Sequence, residues 1–288
     1  MLRACAAQLK VSPSIADNCS RASSMIGRAA SEGAKLVVLP EAFTNTYGVQ
    51  HFASASETLG EAGGSLALRE AALKHNVHVV GGVVEDGGGG KLYNTTVAYG
   101  PAGDEVARYR KIHLSRVKVG EDSTSESDVF SAGETSETFS VGSFKVGLAC
   151  CFDLRFFEHA NSLRRNHGVD VITYSSAWLN STGLLGHWDL MLRARALDNQ
   201  VYCIGSNHAH GPENETVMYG GSMITNPWGA VEASCTGAGE IAGGDELVFA
   251  DLSKSTIGDV RERINLTASR RPECYVPPRL KGLFYKRD

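Results

Sequence analysis

Three polar residues stand where an apolar stretch of the chain ends in a turn: Glu41, Lys111 and Cys151. The sheets of α/β proteins present their functional groups from such positions. A carboxylate can take the proton of a thiol, the thiolate can attack a carbonyl or nitrile carbon, and an ammonium group can hold the charge that develops on oxygen. The three residue types together would therefore suit acyl transfer, which in this form needs no histidine.

The clearest local signal is the segment KVGLACCFDLRF at residues 145–156. It predicts a buried strand that runs into adjacent cysteines and then turns into a helix with Glu158 near its start, the geometry of a nucleophile elbow. Cys150, the last strand residue, would point into the core as a buried thiol. Cys151 would lie at the turn, where the positive end of the helix dipole favours a thiolate, so we predict Cys151 as the nucleophile.

Glu41 and Lys111 each allow two interpretations. Glu41 follows the apolar residues 36–40, and a desolvated carboxylate there would have a raised pKa and could accept a proton near neutral pH. It could equally be a solvated acid that opens a loop. Lys111 lies in an alternating segment, residues 108–114, where it could stabilise an oxyanion or could be a solvated charge at a sheet edge. The residues by themselves leave both choices open.

Other chemistries find weaker support in the sequence. A cysteine-histidine hydrolase could draw on several histidines, none of them in a papain-like context: His113, His187, His208 and His210. The pair His208 and His210 and the adjacent cysteines have no partners at the spacing of a metal site. We therefore predict no metal site.

Strand and helix patterns alternate along the chain and predict an α/β layered fold. Strands are predicted at residues 4–9, 35–39, 78–85, 92–99, 105–109, 144–150, 169–175, 201–206, 223–225, 230–233 and 247–250. Helices are predicted near residues 13–29, 66–75, 157–166 and 188–197. Residues 115–138 are polar and lack either period, so we predict a long loop there.

The composition is that of an ordinary globular protein, with 288 residues of which 42% are hydrophobic and 21% charged. No linker-like segment divides the chain, so we predict one domain, residues 1–288. The net charge of −4 argues against nucleic acid as a partner, and no apolar run approaches the roughly 18 residues of a membrane span. The cysteines lack paired spacing, which favours a cytoplasmic location. The first ten residues fit a strand and leave little room for a transit peptide, although a mitochondrial pool stays open.

Four segments occur in the order typical of one family: LPEAF at 39–43, YRKIHL at 109–114, GLACCFDLRF at 147–156 and LRARALDNQ at 192–200. On these segments the chain resembles the nitrilase superfamily of carbon-nitrogen hydrolases, with its Glu-Lys-Cys triad. Further segments make it most similar to the omega-amidase branch: GKLYNT at 90–95, STG at 181–183, DNQVY at 198–202 and NPWG at 226–229. The resemblance covers nearly the whole chain.

The resemblance implies a four-layer α-β-β-α sandwich that forms a homodimer or larger homo-oligomer, with residues from about 261 to 288 as an extension that packs on the dimer. It implies a thiol-dependent amidase without a metal or organic cofactor. Such an enzyme hydrolyses the terminal amide of 2-oxoglutaramate or 2-oxosuccinamate to the dicarboxylate and ammonia through a cysteine thioester. Deaminated-glutathione amidase is the nearest alternative. A carbamoylase, a nitrilase and a non-catalytic scaffold are more distant ones.

The resemblance also implies roles for the polar residues. Carried over by position, Glu41 would be the general base, Lys111 the oxyanion stabiliser or proton donor, and Cys151 the nucleophile. Glu126 would be a second glutamate, which positions Lys111 and the attacking water. Without the resemblance, Glu126 would be one acid in a polar loop.

Four residues match or neighbour positions that line the family's substrate pocket: Tyr47, Arg155, Tyr174 and Trp178. The forked guanidinium of Arg155 could bind a substrate carboxylate through two hydrogen bonds. It could equally form an interior ion pair with Asp153 or Glu158.

The chain departs from the family's pattern in three places. Phe157 follows Phe156 where the family often has Pro after the elbow, and residues 115–122 differ from the branch's usual Phe-Asp-Ile-Asp pattern. Trp178 stands where the branch commonly has Phe, which could narrow the substrate range. The triad residues are all present. The departures affect the start of the elbow helix, the loop beside the pocket and the range of substrates.

Overall fold

The computed structural model describes residues 1–119, 122–213, 216–237, 244–271 and 274. Helices and strands alternate through the first part of the chain: β1 (Leu2–Gln8), α1 (Ile15–Ser31), β2 (Leu36–Val38), α2 (Val49–Phe52), α3 (Gly63–His75), β3 (His78–Asp86), β4 (Leu92–Tyr99) and β5 (Glu105–Arg110). α1 begins at Ile15, two residues after the predicted start at Pro13, and Ser14 rather than Ser12 caps it, since the Ser14 side chain accepts a hydrogen bond from the backbone N–H of Asp17.

The second part of the chain repeats the alternation: β6 (Arg116–Val119), β7 (Asp122–Ser125), β8 (Thr138–Val141), β9 (Phe144–Cys150), α4 (Phe157–Asn166), β10 (Val171–Ser176), α5 (Asn180–Gly183), α6 (His187–Asn199), β11 (Tyr202–Asn207), β12 (Gly211–Glu213), β13 (Thr216–Met218), β14 (Met223–Thr225), β15 (Val231–Ser234), β16 (Glu246–Leu252), α7 (Lys254–Arg263) and α8 (Leu266–Ser269). Short 3-10 helices span Ala53–Ala55, Glu126–Asp128 and Cys151–Arg155.

The strands form two six-stranded sheets, in the orders β16-β1-β2-β3-β4-β5 and β15-β14-β11-β10-β9-β8. Each sheet has a parallel centre, formed by β1, β2 and β3 in the first and by β9, β10 and β11 in the second. The outer strands pair antiparallel. Because the carboxyl ends of parallel strands meet at one edge, each sheet has an edge from which it can present functional groups.

The two sheets face each other, and helices cover their outer faces. One buried cluster joins side chains of the first sheet, such as Val38, to side chains of the second, such as Leu148. Outside the first sheet, a Cβ added to Gly81 of β3 would lie 2.8 Å from Leu68 of α3. The predicted four-layer α-β-β-α arrangement is confirmed.

The prediction of a single long loop over residues 115–138 is wrong. β6 and β7 pair antiparallel, a 3-10 helix follows at Glu126–Asp128, and β8 begins at Thr138. The signal for β6 is the alternation of Arg116, Val117, Lys118 and Val119. Its partner β7 has only polar residues, and the two strands form a two-stranded sheet apart from the two main sheets. Hydrophobic periodicity is therefore weak in this hairpin.

The predicted C-terminal extension lies mostly outside the described residues. Its described part contains the end of α7 and the short α8. Among the described residues, no helix has the length and apolar character that crossing a bilayer requires.

Candidate active site

The predicted triad residues follow the ends of three strands. Glu41 comes shortly after β2, Lys111 directly after β5 and Cys151 directly after β9. The side chains of Glu41 and Lys111 are fully buried, and Cys151 is 7% exposed. Two sharp turns present these groups, since Cys151 and Ala42, the residue after Glu41, have positive φ values of 39° and 43°.

Lys111 joins Glu41 and Glu126, since its ammonium group donates hydrogen bonds to both carboxylates. The Lys111 Nζ donates to Glu41 Oε1 at 2.7 Å and lies 2.8 Å from Glu126 Oε2. The Tyr47 hydroxyl donates to Glu126 Oε1 at 3.0 Å. Lys111 is therefore an internal ammonium between two carboxylates, and neither the solvated interpretation of Glu41 nor the edge interpretation of Lys111 holds.

Asn94 of β4 completes this cluster. Its Nδ2 donates to Glu41 Oε1 at 2.7 Å and to Glu126 Oε1 at 2.9 Å. The amide group therefore bridges both carboxylates. Sequence analysis did not single out Asn94 as a site residue. The available signal was a fully polar amide inside a strand whose other residues are mostly apolar or hydroxylated.

The expected raised pKa of Glu41 is wrong. Burial by itself would raise it, but the positive charge of Lys111 and hydrogen bonds from Lys111, Asn94 and Cys150 hold the pKa of Glu41 below its usual value. Burial would lower the pKa of Lys111, but the carboxylates of Glu126 and Glu41 raise it well above its usual value. The pair is therefore held in its charged form.

The surroundings of Cys151 raise its pKa and so favour the protonated thiol rather than the thiolate expected from a helix dipole. Burial and the negative charge of Glu41 raise the pKa of Cys151 well above its usual value. The helix that begins at Cys151 is a 3-10 turn of 5 residues, too short for a strong dipole. Its Sγ lies 3.9 Å from the carbonyl oxygen of Ala177. Nucleophilic attack from this resting state requires a base.

Cys150 is buried, as expected, but it contacts the charged cluster. Its Sγ donates to Glu41 Oε1 at 3.2 Å and approaches Asn94 Oδ1 at 3.6 Å. Burial and the Glu41 carboxylate raise the pKa of Cys150 well above its usual value. The adjacent cysteines thus have different surroundings, since Cys150 contacts the carboxylate and Cys151 lines an open cleft.

Asp153 fixes the turn that carries the cysteines. It accepts hydrogen bonds from the backbone N–H of Cys150 at 2.9 Å and from the Tyr109 hydroxyl at 2.7 Å, and it lies 2.7 Å from His113 Nδ1. The suggested ion pair of Arg155 with Asp153 or Glu158 is therefore not formed. Glu158 is exposed in the first turn of α4.

Two histidines of the alternative cysteine-histidine hydrolase have other partners. His113 pairs with Asp153, and His208 Nε2 lies 2.6 Å from the backbone carbonyl of Glu41. Within the described part of the chain, no group of three or more His, Cys, Asp or Glu residues could hold a metal ion.

A narrow cleft opens at Cys151, with about 20 Å³ of space for the centre of a water-sized sphere. It is lined by Tyr47, Ser115, Val117, Cys151, Phe152, Arg155, Ala177, Trp178, Leu179 and Thr182. Tyr47, Arg155 and Trp178, three of the predicted substrate-binding residues, are among them. Ser115, Val117 and Thr182 belong to segments that the sequence marked only as the polar loop or as a family motif.

Tyr174, the fourth predicted substrate-binding residue, does not line the cleft. It is 1% exposed on β10 and interacts electrostatically with Cys203 of β11 and Arg195 of α6. Alternate residues of a strand face opposite sides of the sheet, and Tyr174 lies on the side of α6.

Comparisons with known proteins agree with this architecture. The family model of the carbon-nitrogen hydrolases matches residues 3–262. The chain belongs to the carbon-nitrogen hydrolase family. Among relatives, omega-amidase NIT2 of Danio rerio is 38% identical and that of Homo sapiens 36%, each alignment covering 93% of this chain and 94% of the relative. The crystal structure of Saccharomyces cerevisiae Nit3, a member of branch 10 of the nitrilase superfamily, matches with a TM-score of 0.82 and 32% identity, covering 94% of this chain and 96% of that one.

The resemblance drawn from the sequence segments is thus confirmed. This carbon-nitrogen hydrolase is an enzyme that acts on carbon-nitrogen bonds other than peptide bonds, with a small-molecule amide as its substrate.

Proposed function

We propose that the protein is an omega-amidase, which hydrolyses the terminal amide of 2-oxoglutaramate or 2-oxosuccinamate to the dicarboxylate and ammonia. The observation that carries this proposal is the cluster of Glu41, Lys111 and Glu126 behind a cleft that contains both Cys151 and an arginine free for a substrate carboxylate. Among the described residues, no carboxylate bonds to the Arg155 guanidinium. The names of the relatives that are 36% and 38% identical support the same activity.

In the first step, Glu41 takes the proton of Cys151, and the sulfur attacks the amide carbon. Glu41 Oε1 already accepts hydrogen bonds from Lys111, Asn94 and Cys150. Its Oε2 accepts only the backbone N–H of Ala177, at 2.9 Å, within the described structure. Because the Ala177 carbonyl also contacts Cys151 Sγ, Oε2 is the oxygen suited to receive the thiol proton. Lys111 and a backbone N–H of the elbow hold the oxyanion.

In the second step, the carbon-nitrogen bond breaks and protonated Glu41 gives its proton to the leaving ammonia. A thioester to Cys151 remains. Glu41 then takes a proton from a water molecule, whose oxygen attacks the thioester carbon. The carbon-sulfur bond breaks, and the proton returns to the sulfur as the acid leaves. Throughout the cycle, Glu126 holds Lys111 in place through their ion pair. Glu126 is itself held by hydrogen bonds from Tyr47 and Asn94.

The adjacent cysteines provide a matched test of this mechanism. Cys151→Ala should abolish ammonia release from 2-oxoglutaramate, while Cys150→Ala should keep most of it. Mass spectrometry should detect a substrate-derived acyl adduct on Cys151 in the wild-type enzyme. Comparable turnover by the Cys151 variant would refute the assignment. If a panel of amides gave neither ammonia nor an adduct, the protein would be a non-catalytic scaffold.

The relatives named omega-amidase favour an omega-amide such as 2-oxoglutaramate over deaminated glutathione as the substrate. We expect turnover of 2-oxoglutaramate to exceed that of deaminated glutathione, and the reverse order would assign the protein to the alternative activity. Ammonia release from an N-carbamoyl amino acid or a nitrile would point to the more distant activities.

We further propose a homodimer or larger homo-oligomer in a reducing cytoplasm. Leu184, Leu185 and Leu190, which lie after α5 and in α6, are 64%, 65% and 65% exposed, an apolar surface that a second subunit could bury. No disulfide joins cysteines in the part of the chain that the structure describes, which suits a reducing compartment. Light scattering after size-exclusion chromatography tests the oligomer, and fractionation of the source cells tests the location.

A further inference from the structure

Two polar side chains at the end of β11 have no role in the proposed reaction, although both are fully buried. Asn207 is the last residue of β11 and His208 follows it, and each is 0% exposed. β11 lies beside β10 in the parallel centre of the second sheet, where Asn207 pairs with Ser176. A buried polar group costs stability unless it forms hydrogen bonds, so the partners of these side chains indicate what they stabilise.

His208 binds the backbone of Glu41. Its Nε2 lies 2.6 Å from the Glu41 carbonyl oxygen, and because a carbonyl oxygen can only accept, Nε2 carries the proton of this hydrogen bond. The next residue, Ala42, has a φ of 43°, so Glu41 lies at a sharp turn. The backbone beside His208 is fixed in turn, because the N–H of Ala209 donates to the Leu9 carbonyl at 2.9 Å. The imidazole therefore holds the turn that presents the Glu41 carboxylate.

Asn207 binds the peptide unit between Ala177 and Trp178. Its Oδ1 accepts the N–H of Trp178 at 2.7 Å, and its Nδ2 donates to the Gly220 carbonyl at 2.8 Å. Its own backbone N–H donates to the Ser222 hydroxyl at 2.8 Å. Because the oxygen and the nitrogen of the side-chain amide both have partners, the orientation of this amide is determined.

Ala177 connects these two side chains to the reacting groups. Its N–H donates to Glu41 Oε2 at 2.9 Å, and its carbonyl oxygen lies 3.9 Å from Cys151 Sγ. A peptide unit is planar, so the hydrogen bond that Asn207 accepts from the following N–H also sets the direction of the Ala177 carbonyl. Asn207 thus acts on the carbonyl that contacts the thiol, while His208 acts on the residue that carries the carboxylate.

We propose that Asn207 and His208 are positioning residues for the transfer of the Cys151 proton to Glu41 Oε2. The inference rests on the proposed function, in which Glu41 is the base, and adds the residues that align this base with the thiol. Neither Asn207 nor His208 lines the cleft, so both act through other residues. Proton transfer requires donor and acceptor within hydrogen-bond reach, and a misplacement of about 1 Å can lower a rate about 100-fold. Loss of either hydrogen bond should therefore slow formation of the thiolate.

Alkylation of Cys151 by iodoacetamide measures formation of the thiolate without an amide substrate. At neutral pH, His208→Leu and Asn207→Leu should each lower its rate constant, followed at Cys151 by tandem mass spectrometry, about tenfold or more. His208→Gln should keep most of the wild-type rate, because its amide can donate from the place of Nε2. His208→Asn, whose amide is too short to reach, should behave like His208→Leu. If His208→Leu does not fold, the comparison of His208→Gln with His208→Asn provides the test.

Asn199→Leu is the matched control for the loss of a buried polar side chain. Asn199 ends α6, is 3% exposed, accepts a hydrogen bond from Asn161 and donates one to the Arg195 carbonyl. This variant should lower the unfolding midpoint in urea and leave alkylation of Cys151 unchanged. Slowing of the same size in Asn199→Leu as in His208→Leu would overturn the proposal, and so would equal slowing by His208→Gln and His208→Leu.

Turnover separates the positioning role from the amidase function. In His208→Leu, kcat for 2-oxoglutaramate should fall with the alkylation rate while KM stays within about twofold, because the imidazole does not line the cleft. If the wild-type enzyme hydrolyses no amide but the variants slow alkylation as expected, the amidase function fails and the positioning role stands. If the wild-type enzyme hydrolyses 2-oxoglutaramate and both leucine variants keep its kcat and alkylation rate, the positioning role fails and the amidase function stands.

Discussion

Lys111 and Arg155 are two cations beside Cys151, and their surroundings are opposite. Lys111 is fully buried and contacts the carboxylates of Glu41 and Glu126. Arg155 is partly exposed, lies against aromatic rings, and bonds to no carboxylate in the described structure. The first cation has all the partners it needs within the protein, and the second has not.

Under the proposed function, this difference separates the residue that takes part in the reaction from the residue that binds the substrate. A charge that must act at a fixed point is held by internal partners, which cost no reorganisation during the reaction. A charge that must bind a substrate has to be left without an internal counterion, so that the ligand supplies one.

Lys111→Met should have the largest effect, on both the free energy of unfolding and turnover. The substitution leaves Glu41 and Glu126 as neighbouring buried carboxylates without a cation. Breaking a buried pair in this way typically costs about 3–5 kcal/mol of unfolding free energy. We expect a loss of this size in urea denaturation at neutral pH, together with loss of detectable turnover.

Arg155→Met is the matched control for that experiment. Because no internal carboxylate depends on Arg155, its removal should change the free energy of unfolding far less. Equal destabilisation by the two variants would contradict the distinction between paired and unpaired cations.

Arg155→Met should have the next largest effect, on substrate recognition alone. A hydrogen bond to a charged group contributes about 1.5–3 kcal/mol, so kcat/KM for 2-oxoglutaramate should fall about 10- to 100-fold, mainly through KM. The primary amide of the same length without the carboxylate should be hydrolysed as well by the variant as by the wild-type enzyme. A similar fall for both substrates would mean that Arg155 supports the architecture of the cleft.

Glu41, Lys111 and Cys151 could be predicted as candidate site residues from the sequence, because each follows the end of an apolar strand. Apolar strands followed by a turn are a local pattern, and the end of a strand determines where the next residue lies. The pKa of Glu41 could not be predicted in the same way. Its sign depends on whether burial or the ion pair with Lys111 dominates, and that ion pair joins positions 70 residues apart.

Side-chain direction limited the prediction of the cleft. Tyr174 was assigned to the cleft by its position in the chain, but the alternation of β10 turns it towards α6. Ser115 was considered only as the start of a polar loop, and its pairing with Glu126 depends on the turn between β5 and β6. The presence or absence of an internal counterion is visible only in three dimensions, so the contrast between Lys111 and Arg155 could not be derived from the sequence.

Cys150→Ala should have the smallest effect on activity. It tests whether the Cys150 thiol contributes to the pKa of Glu41. The Cys150 thiol donates to Glu41 and contributes to lowering its pKa. In the proposed mechanism, activity requires the Glu41 carboxylate and is lost as pH falls through its pKa. Removing the donor should raise the pKa of Glu41, so the acid limb of the kcat/KM profile should move to higher pH. The plateau rate should change little, because a thiol is a weak donor and Glu41 keeps its hydrogen bonds from Lys111 and Asn94.

Cys150→Ser is the matched variant for this measurement, since its hydroxyl can donate to the same carboxylate oxygen. Its acid limb should remain close to that of the wild-type enzyme. A shift of the same size in both variants would indicate that the volume of the side chain matters rather than its hydrogen bond. An unchanged pH profile of kcat/KM in Cys150→Ala would mean that Lys111 and Asn94 alone determine the pKa of Glu41. The Cys150 thiol would then contribute nothing to the cluster of Glu41, Lys111 and Glu126.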